Sequence, residues 1–168
     1  MKLLVIRHAI AEDREVFATT GQDDGLRPLT RAGKKKMARA ARGLREIAPA
    51  LDLLASSPLV RARQTADVVA DVLGTGTPVE LEALEPERDP AQLLEWLGKQ
   101  KASANLAVVG HEPHLSRLIG LLLTGGASGF LILKKGGACL LDLPEGGRAG
   151  AARLRCALTP AQLRKLGG

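Results

Sequence analysis

The chain has 168 residues, 45% of them hydrophobic and 25% charged. That balance excludes a disordered chain and predicts one domain, residues 1–168, with a substantial core. The net charge of +6 favours a polyanionic, phosphorylated or acidic ligand, while aromatic residues at 2% argue against a base-stacking platform, so no nucleic acid is expected.

The chain opens MKLLVIRHAI. Residues 2–6 are a short Leu/Val/Ile run of the kind that a sheet covered on both faces needs. Arg7 and His8, at its carboxyl end, are poor core material; alone they would mark only an exit into water. The run is too short for a signal peptide, and no apolar stretch approaches the ~18 residues of a membrane span. A cytoplasmic protein that does not enter membranes is expected. Residues 23–30 are polar, contain Gly25 and Pro28, and read as a loop. A helix starts after Thr30, whose hydroxyl can take a free N–H. Met37, Ala41, Leu44 and Ala48 form its inward stripe. Arg31, Lys34, Lys35, Arg39, Arg42 and Arg45 form its outer face, a solvated surface or, on a sharper reading, a dock for an acidic partner.

A second strand covers residues 51–55. Ser56-Ser57-Pro58 then starts a helix, with Ser57 as N-cap and Pro58 at the first helical position, running to Leu73 and stopping at Gly74-Thr75-Gly76. Residues 78–84 hold a third strand, and Asp89-Pro90 opens a helix with Leu93, Leu94 and Leu97 inward. Residues 105–109 are a fourth apolar strand ending in Gly110-His111, and Pro113 sits near the start of a helix that runs to Leu123. Residues 130–133 and 138–143, joined by Lys134-Lys135-Gly136-Gly137, read as a hairpin. Residues 152–157 read as a further strand, and Thr159-Pro160 starts a terminal helix. Cys139 and Cys156 lie in strand-like runs and read as inert thiols, with neither metal-ligand nor disulfide spacing. The strand–helix alternation predicts an α/β fold with a mainly parallel sheet and an antiparallel edge.

Three of these strands end alike: the first in Arg7-His8, the second at Ser57 with Arg61 one turn into the next helix, the fourth in His111. Sites in parallel sheets form outside the carboxyl ends of the strands, so these residues share one edge. Helix starts near Pro58 and Pro113 add free N–H groups and positive dipole ends suited to phosphate. There is no P-loop and no Cys-x5-Arg segment. The segment His111-Glu112-Pro113-His114 has only His8 as a further histidine, and a three-histidine zinc set would need both His111 and His114 inward. A neutral imidazole can instead attack phosphorus while guanidinium groups take up the charge, without a metal.

The strand-end Arg-His, SSPLVRARQT (residues 56–65) and VGHEP (residues 109–113) together resemble the histidine phosphatase superfamily. Within it, RHAIAE (residues 7–12) and RPLTRAG (residues 27–33) are similar to the SixA-like phosphohistidine phosphatases. The resemblance implies a phosphoglycerate mutase-like fold, a three-layer sandwich. It implies His8 as the nucleophile that becomes phosphohistidine, Arg7 and Arg61 as phosphate clamps, and His111 as a donor to a phosphoryl oxygen. Arg27 and Ser57 join the substrate-binding set. No cofactor is implied. Arg63 reads as a surface residue, His114 as a helix-face residue and Thr65 as a packing or capping residue.

Two departures stand out. Ala9 follows His8 where the superfamily often has glycine, although the SixA-like group resembles this variant. Many members also carry a glutamate after the third strand as general acid. Here the segment is LEALEPERD, with Glu82, Glu85 and Asp89 as candidates and the equivalent position near Ala83. A phosphoramidate leaving group needs less protonation help than an alcohol. The short runs between strands leave little for a lid, so an open site is expected. The expected substrate is a phosphohistidine-bearing protein, such as a phosphotransfer domain, and the protein is expected to be a monomer or weak dimer. A phosphatase for small phosphoesters and a catalytically silent phosphate-binding module remain as alternatives.

Overall fold

A computed structural model describes residues 1–48, 50–144 and 146–168. Along the chain lie β1 (Lys2–Arg7), α1 (Arg14–Ala18), a 3-10 turn at Asp24–Leu26, α2 (Arg31–Ile47), β2 (Leu53–Ser56), α3 (Val60–Leu73), β3 (Val79–Glu80) and a second 3-10 turn at Glu82–Leu84. There follow α4 (Ala91–Gly98), β4 (Asn105–Gly110), α5 (His114–Thr124), β5 (Ala138–Asp142), β6 (Arg153–Leu158) and α6 (Pro160–Leu166). The sheet order is β3-β2-β4-β1-β5-β6. The first four strands are mutually parallel. β5 pairs antiparallel with β1, and β6 antiparallel with β5.

Both faces are covered, which is why the central strands are apolar without alternation. Leu4, Ile6, Leu54 and Val109 pack against Met37, Leu44, Ala66, Val69 and Leu163 from α2, α3 and α6. Leu3, Val5, Leu106 and Val108 face Leu93, Leu97, Leu115 and Leu118 from α4 and α5. The result is the three-layer, mainly parallel arrangement with an antiparallel edge that the sequence predicts. Thr30 caps α2 by accepting from the Gly33 N–H, and Thr159 and Gln162 form a capping box at α6.

The elements differ from expectation in four places. The third strand shrinks to Val79–Glu80, because Leu84 turns through the second 3-10 turn into the core, where it is fully buried. Residues 130–133 form no strand, and the hairpin is β5–β6 instead. The Leu133 N–H goes to Glu112 Oε1 (2.8 Å), and its carbonyl accepts from Arg7 Nη1 (2.7 Å), so its polar groups serve side chains rather than a ladder. α3 starts at Val60 with Leu59 as N-cap, and the Ser57 hydroxyl, 2.9 Å from His111 Nε2, accepts only a long bond from the Leu59 N–H (3.4 Å). The short α1, capped by Asp13 and burying only Phe17, was not foreseen.

Candidate active site

The register of the parallel strands sets the site. Arg7 pairs with Gly110, and Ser56 with Val109. One step further, the His8 N–H donates to the Gly110 carbonyl and the Ser57 N–H to the Val109 carbonyl, each at 3.0 Å. His8, Ser57 and His111 therefore leave three neighbouring strands side by side. The rings of His8 and His111 lie 5.1 Å apart between centroids, tilted by 50°.

His8 Nδ1 lies 2.7 Å from the Ala9 carbonyl. A carbonyl only accepts, so Nδ1 carries the proton and Nε2 keeps its lone pair. Burial, the largest cause, pulls the His8 pKa down to about 3, with the cations Arg61, Arg7 and Lys135 adding to the effect. His8 is thus neutral at pH 7. Ala9 adopts no positive φ, and its N–H donates to Thr65 Oγ1 at 3.0 Å, while the Thr65 hydroxyl donates to the Arg61 carbonyl at 2.6 Å. Fully buried Thr65 therefore ties the residue after His8 to the first turns of α3.

The RPLTRAG segment straps the loop that follows. The Glu12 N–H donates to the Pro28 carbonyl and the Thr30 N–H to the Ile10 carbonyl. A Cβ on Gly33 would sit 2.0 Å from the Ile10 oxygen, so only glycine permits α2 to start this close.

The arginines are held by main-chain carbonyls. Arg7 Nη1 donates to Leu133, Arg27 Nη1 to Glu12 (2.8 Å) and Arg61 Nη1 to Asp24 (2.8 Å). The Asp24 carboxylate also accepts from Arg27 Nε at 2.8 Å and pairs with Arg61 Nη2 at 3.2 Å and Arg14 Nη2 at 3.4 Å. The hydrogen bond from Arg27 is the main reason its carboxyl sits far below the usual range. Burial lowers the pKa of both Arg7 and Arg61. His111 Nε2 is 2.9 Å from Ser57 Oγ, and burial, with His8 and Arg61 nearby, pulls its pKa down to about 2. Arg7 Nε, Arg61 Nε and His111 Nδ1 are buried without a hydrogen-bond partner among the described residues.

A cleft of about 670 Å³, open to solvent, is lined by Arg7, His8, Arg27, Arg61 and His111. The structure thus brings together five of the predicted residues, and Ser57 stands behind His111. Pro113, at the start of α5, reaches the cleft; the start of α3 enters it only through Arg61. Glu82 and Glu85 are not among the lining residues, and both pair with Arg88. Asp89 instead accepts from the Ala91 N–H at the start of α4. Arg63 pairs with Glu80 on the surface. His114, the first residue of α5, is fully buried, and burial pulls its pKa down to about 4. Among the described residues, no group of three or more His, Cys, Asp or Glu is placed to hold a metal ion. No described helix is long and apolar enough to cross a membrane.

The sequence reasoning missed Asp24, Glu87, Glu112 and Lys135. Glu87 and Lys135 line the cleft, and Glu112, also in the lining, accepts from Leu133 and from Ser116. The one local signal was the Asp24–Arg27 spacing of three.

Residues 3–89 match the histidine phosphatase superfamily (branch 1). An uncharacterized protein of Picosynechococcus sp. is 34% identical over 157 residues, covering 92% of this chain and 89% of that one. The protein histidine phosphatase SixA, solved with tungstate, superposes with a TM-score of 0.83 at 23% identity, over 97% of this chain and 99% of its own. Phosphoserine phosphatase from Entamoeba histolytica, solved with 3-phosphoglyceric acid, gives 0.67 at 17% identity, over 94% and 96%. The fold is phosphoglycerate mutase-like, and the chain belongs to the histidine phosphatase superfamily.

Proposed function

We propose that this protein removes phosphate from phosphohistidine on a partner protein, through a phospho-His8 intermediate. The observation that carries the reading is the Nδ1–H of His8 on the Ala9 carbonyl, which aims a neutral Nε2 lone pair into a cleft walled by Arg7, Arg61 and His111. Arg7 and Arg61, which line the cleft, supply guanidinium N–H groups for the equatorial phosphoryl oxygens, and His111 supplies a further ring N–H.

In the first step His8 Nε2 bonds to phosphorus, and the P–N bond of the substrate breaks. The leaving ring, already protonated on its other nitrogen, departs as neutral imidazole. His8 then carries the phosphoryl group on Nε2 and a proton on Nδ1, the same form the substrate had. Water next attacks phosphorus, Nε2 takes back its electron pair, and the proton lost by water goes to solvent. Nucleophile and leaving group are the same chemical species, so no acid is required at the scissile nitrogen. An alkoxide leaving group would need one, and Glu82 and Glu85 stand outside the cleft. The open cleft supports a substrate mounted on a protein.

A second reading, hydrolysis of small phosphoesters, draws on Glu87, a carboxylate that does line the cleft. One assay separates the two: phosphate release from a chemically phosphorylated phosphotransfer domain beside phosphoserine, sugar phosphates and p-nitrophenyl phosphate. Preference for the phosphoprotein is expected, and preference for esters reverses the choice. His8→Ala should lose at least ~10⁴ in rate and fail to trap ³²P. Full activity in that variant would end the nucleophile assignment.

A further inference from the structure

A second cavity adjoins the cleft. It holds about 170 Å³ and has a floor of Ala9, Met37, Ala40 and Pro160. Lys36, Lys135 and Arg164 stand around it, and no acidic residue lines it. Ile10 and Lys135 line both this cavity and the catalytic cleft, so the two are separated only by that ridge. Ile10 is itself 36% exposed, an apolar crest between two charged depressions.

The cavity is built into the fold. It lies between α2 and α6, and a Cβ on Gly43 would fall 2.0 Å from the Leu163 carbonyl, so the two helices are in backbone contact. Nothing need rearrange to open it. Its cations are uncommitted: neither Lys36, Lys135 nor Arg164 makes an ion pair or side-chain hydrogen bond with the described residues. Some exposed arginines elsewhere do find carboxylates, as Arg63 finds Glu80 and Arg155 finds Asp142. None of Arg31, Lys34, Lys35, Arg39, Arg42 and Arg45, the outer face of α2, lines the pit; its α2 cation is Lys36.

We infer that this cavity is the docking subsite for the protein that carries the phosphohistidine. It receives an apolar side chain from an acidic segment of that partner, whose carboxylates meet Lys36, Lys135 and Arg164. The inference rests on the reading of the catalytic cleft given above. Charge complementarity selects the partner's sign, and the apolar floor selects a protein segment over a bare polyanion, which has nothing to bury there. The shared ridge makes the two contacts simultaneous: phosphoryl group in the cleft, acidic segment in the pit. A small phosphorylated metabolite spans only one of them. Discrimination between protein and metabolite then comes from the second contact, through encounter rate and KM, not from the chemistry at His8.

The test uses two substrates, an acidic phosphotransfer domain phosphorylated with phosphoramidate and free phosphohistidine. Three variants are compared with the wild type: Lys36→Glu/Arg164→Glu, Lys36→Gln/Arg164→Gln, and Lys99→Glu/Lys101→Glu as a matched change of charge in the turn ahead of β4. The first pair should lower kcat/KM on the phosphoprotein by about tenfold or more, chiefly through KM. The Gln pair, which keeps uncharged stems in place, should lose less. Both should turn over free phosphohistidine within about twofold of wild type, as should the control pair on both substrates. Raising salt should depress the wild type on the phosphoprotein and leave the Glu pair nearly flat. Equal losses on the two substrates, or an unchanged kcat/KM on the phosphoprotein, would overturn the subsite. A wild type inert on both phosphohistidine substrates would show instead that the underlying reading of the cleft had failed.

Discussion

Asp24 is the carboxylate on which three guanidinium groups meet, so Asp24→Ala is the most informative single change outside the reacting atoms. Arg61 and Arg27 have side chains only 5% and 9% exposed, whereas Asp24 is 36% exposed and Arg14 75%. Removing the partner of a fully buried charge costs about 3–5 kcal/mol. Three facts reduce that here. Water reaches Asp24, the carbonyl bonds of Arg61 to residue 24 and of Arg27 to Glu12 survive in an alanine, and the exposed pair to Arg14 is worth little. A loss of about 2 kcal/mol results, or a Tm lower by about 4–8 °C in a chain of this size. Activity falls as well. Arg61 loses the tether on Nη2, and loosened positioning lowers kcat by about tenfold, with a smaller change in KM. The pH dependence follows from the sign of the shift. The Asp24 carboxyl is held below its unfolded value, so it stabilises the fold above about pH 4 and ceases to do so as pH falls through the lower folded value. The gap between wild type and variant should therefore be constant from pH 8 to about 5 and narrow below about 4. Urea denaturation across that range and steady-state kinetics on a phosphohistidine protein measure both effects. A stability loss under about 0.5 kcal/mol with kcat unchanged would refute the claim that Asp24 sets the arginines.

Further outcomes are expected. The wild type should lose stability as pH falls below about 6.5, because His8, His111 and His114 resist protonation when folded and accept it when unfolded. At pH 5.5 each histidine costs about 1.4 kcal/mol, about 4 in all, and His114→Leu should remove about a third of that slope in pH-resolved denaturation. A flat profile between pH 6.5 and 5.5 would contradict neutral burial. Thr65→Val strands the buried Ala9 N–H and should cost about 1–3 kcal/mol with a severalfold drop in kcat, whereas Thr65→Ser should retain both. Glu87→Gln should change phosphohistidine turnover by less than about threefold; a collapse of that rate would make Glu87 the acid the mechanism omits.

What was legible in the sequence was what topology alone determines. Strand-like runs alternating with helices require parallel strands, and parallel strands place Arg7-His8, Ser57 and His111 on one edge whatever the loops do. The capping signals at Thr30 and Thr159 are local, so they could be read directly. The misreadings share one cause: a polar group had two possible partners, and only the fold chooses between them. Ser57 reads as an N-cap until His111 competes for its hydroxyl. Residues 130–133 read as a strand until Glu112 and Arg7 claim the backbone of Leu133. Asp24 lies in a loop 37 residues from Arg61, and no periodicity connects them. The leucines at 81 and 84 fit either a strand run or a 3-10 turn, and the depth of the core decided for the turn.

Gathering three guanidinium groups beside two imidazoles is electrostatically costly, and the way the chain meets that cost explains the site. The histidines avoid it by staying neutral, which burial enforces. The arginines cannot become neutral at pH 7, so each is given a backbone carbonyl, and two share one carboxylate. Those carbonyls belong to segments after β1, before α2 and before β5, the first two of which are also strapped together by backbone bonds. The loops are therefore ordered by the arginines as much as the arginines are ordered by them. The bonds to carbonyl and carboxylate engage the Nη atoms of Arg7 and Arg61 and fix both guanidinium planes. The cations that line the cleft are thus held in place before any ligand arrives, which is what preorganisation means in terms of this molecule's hydrogen bonds.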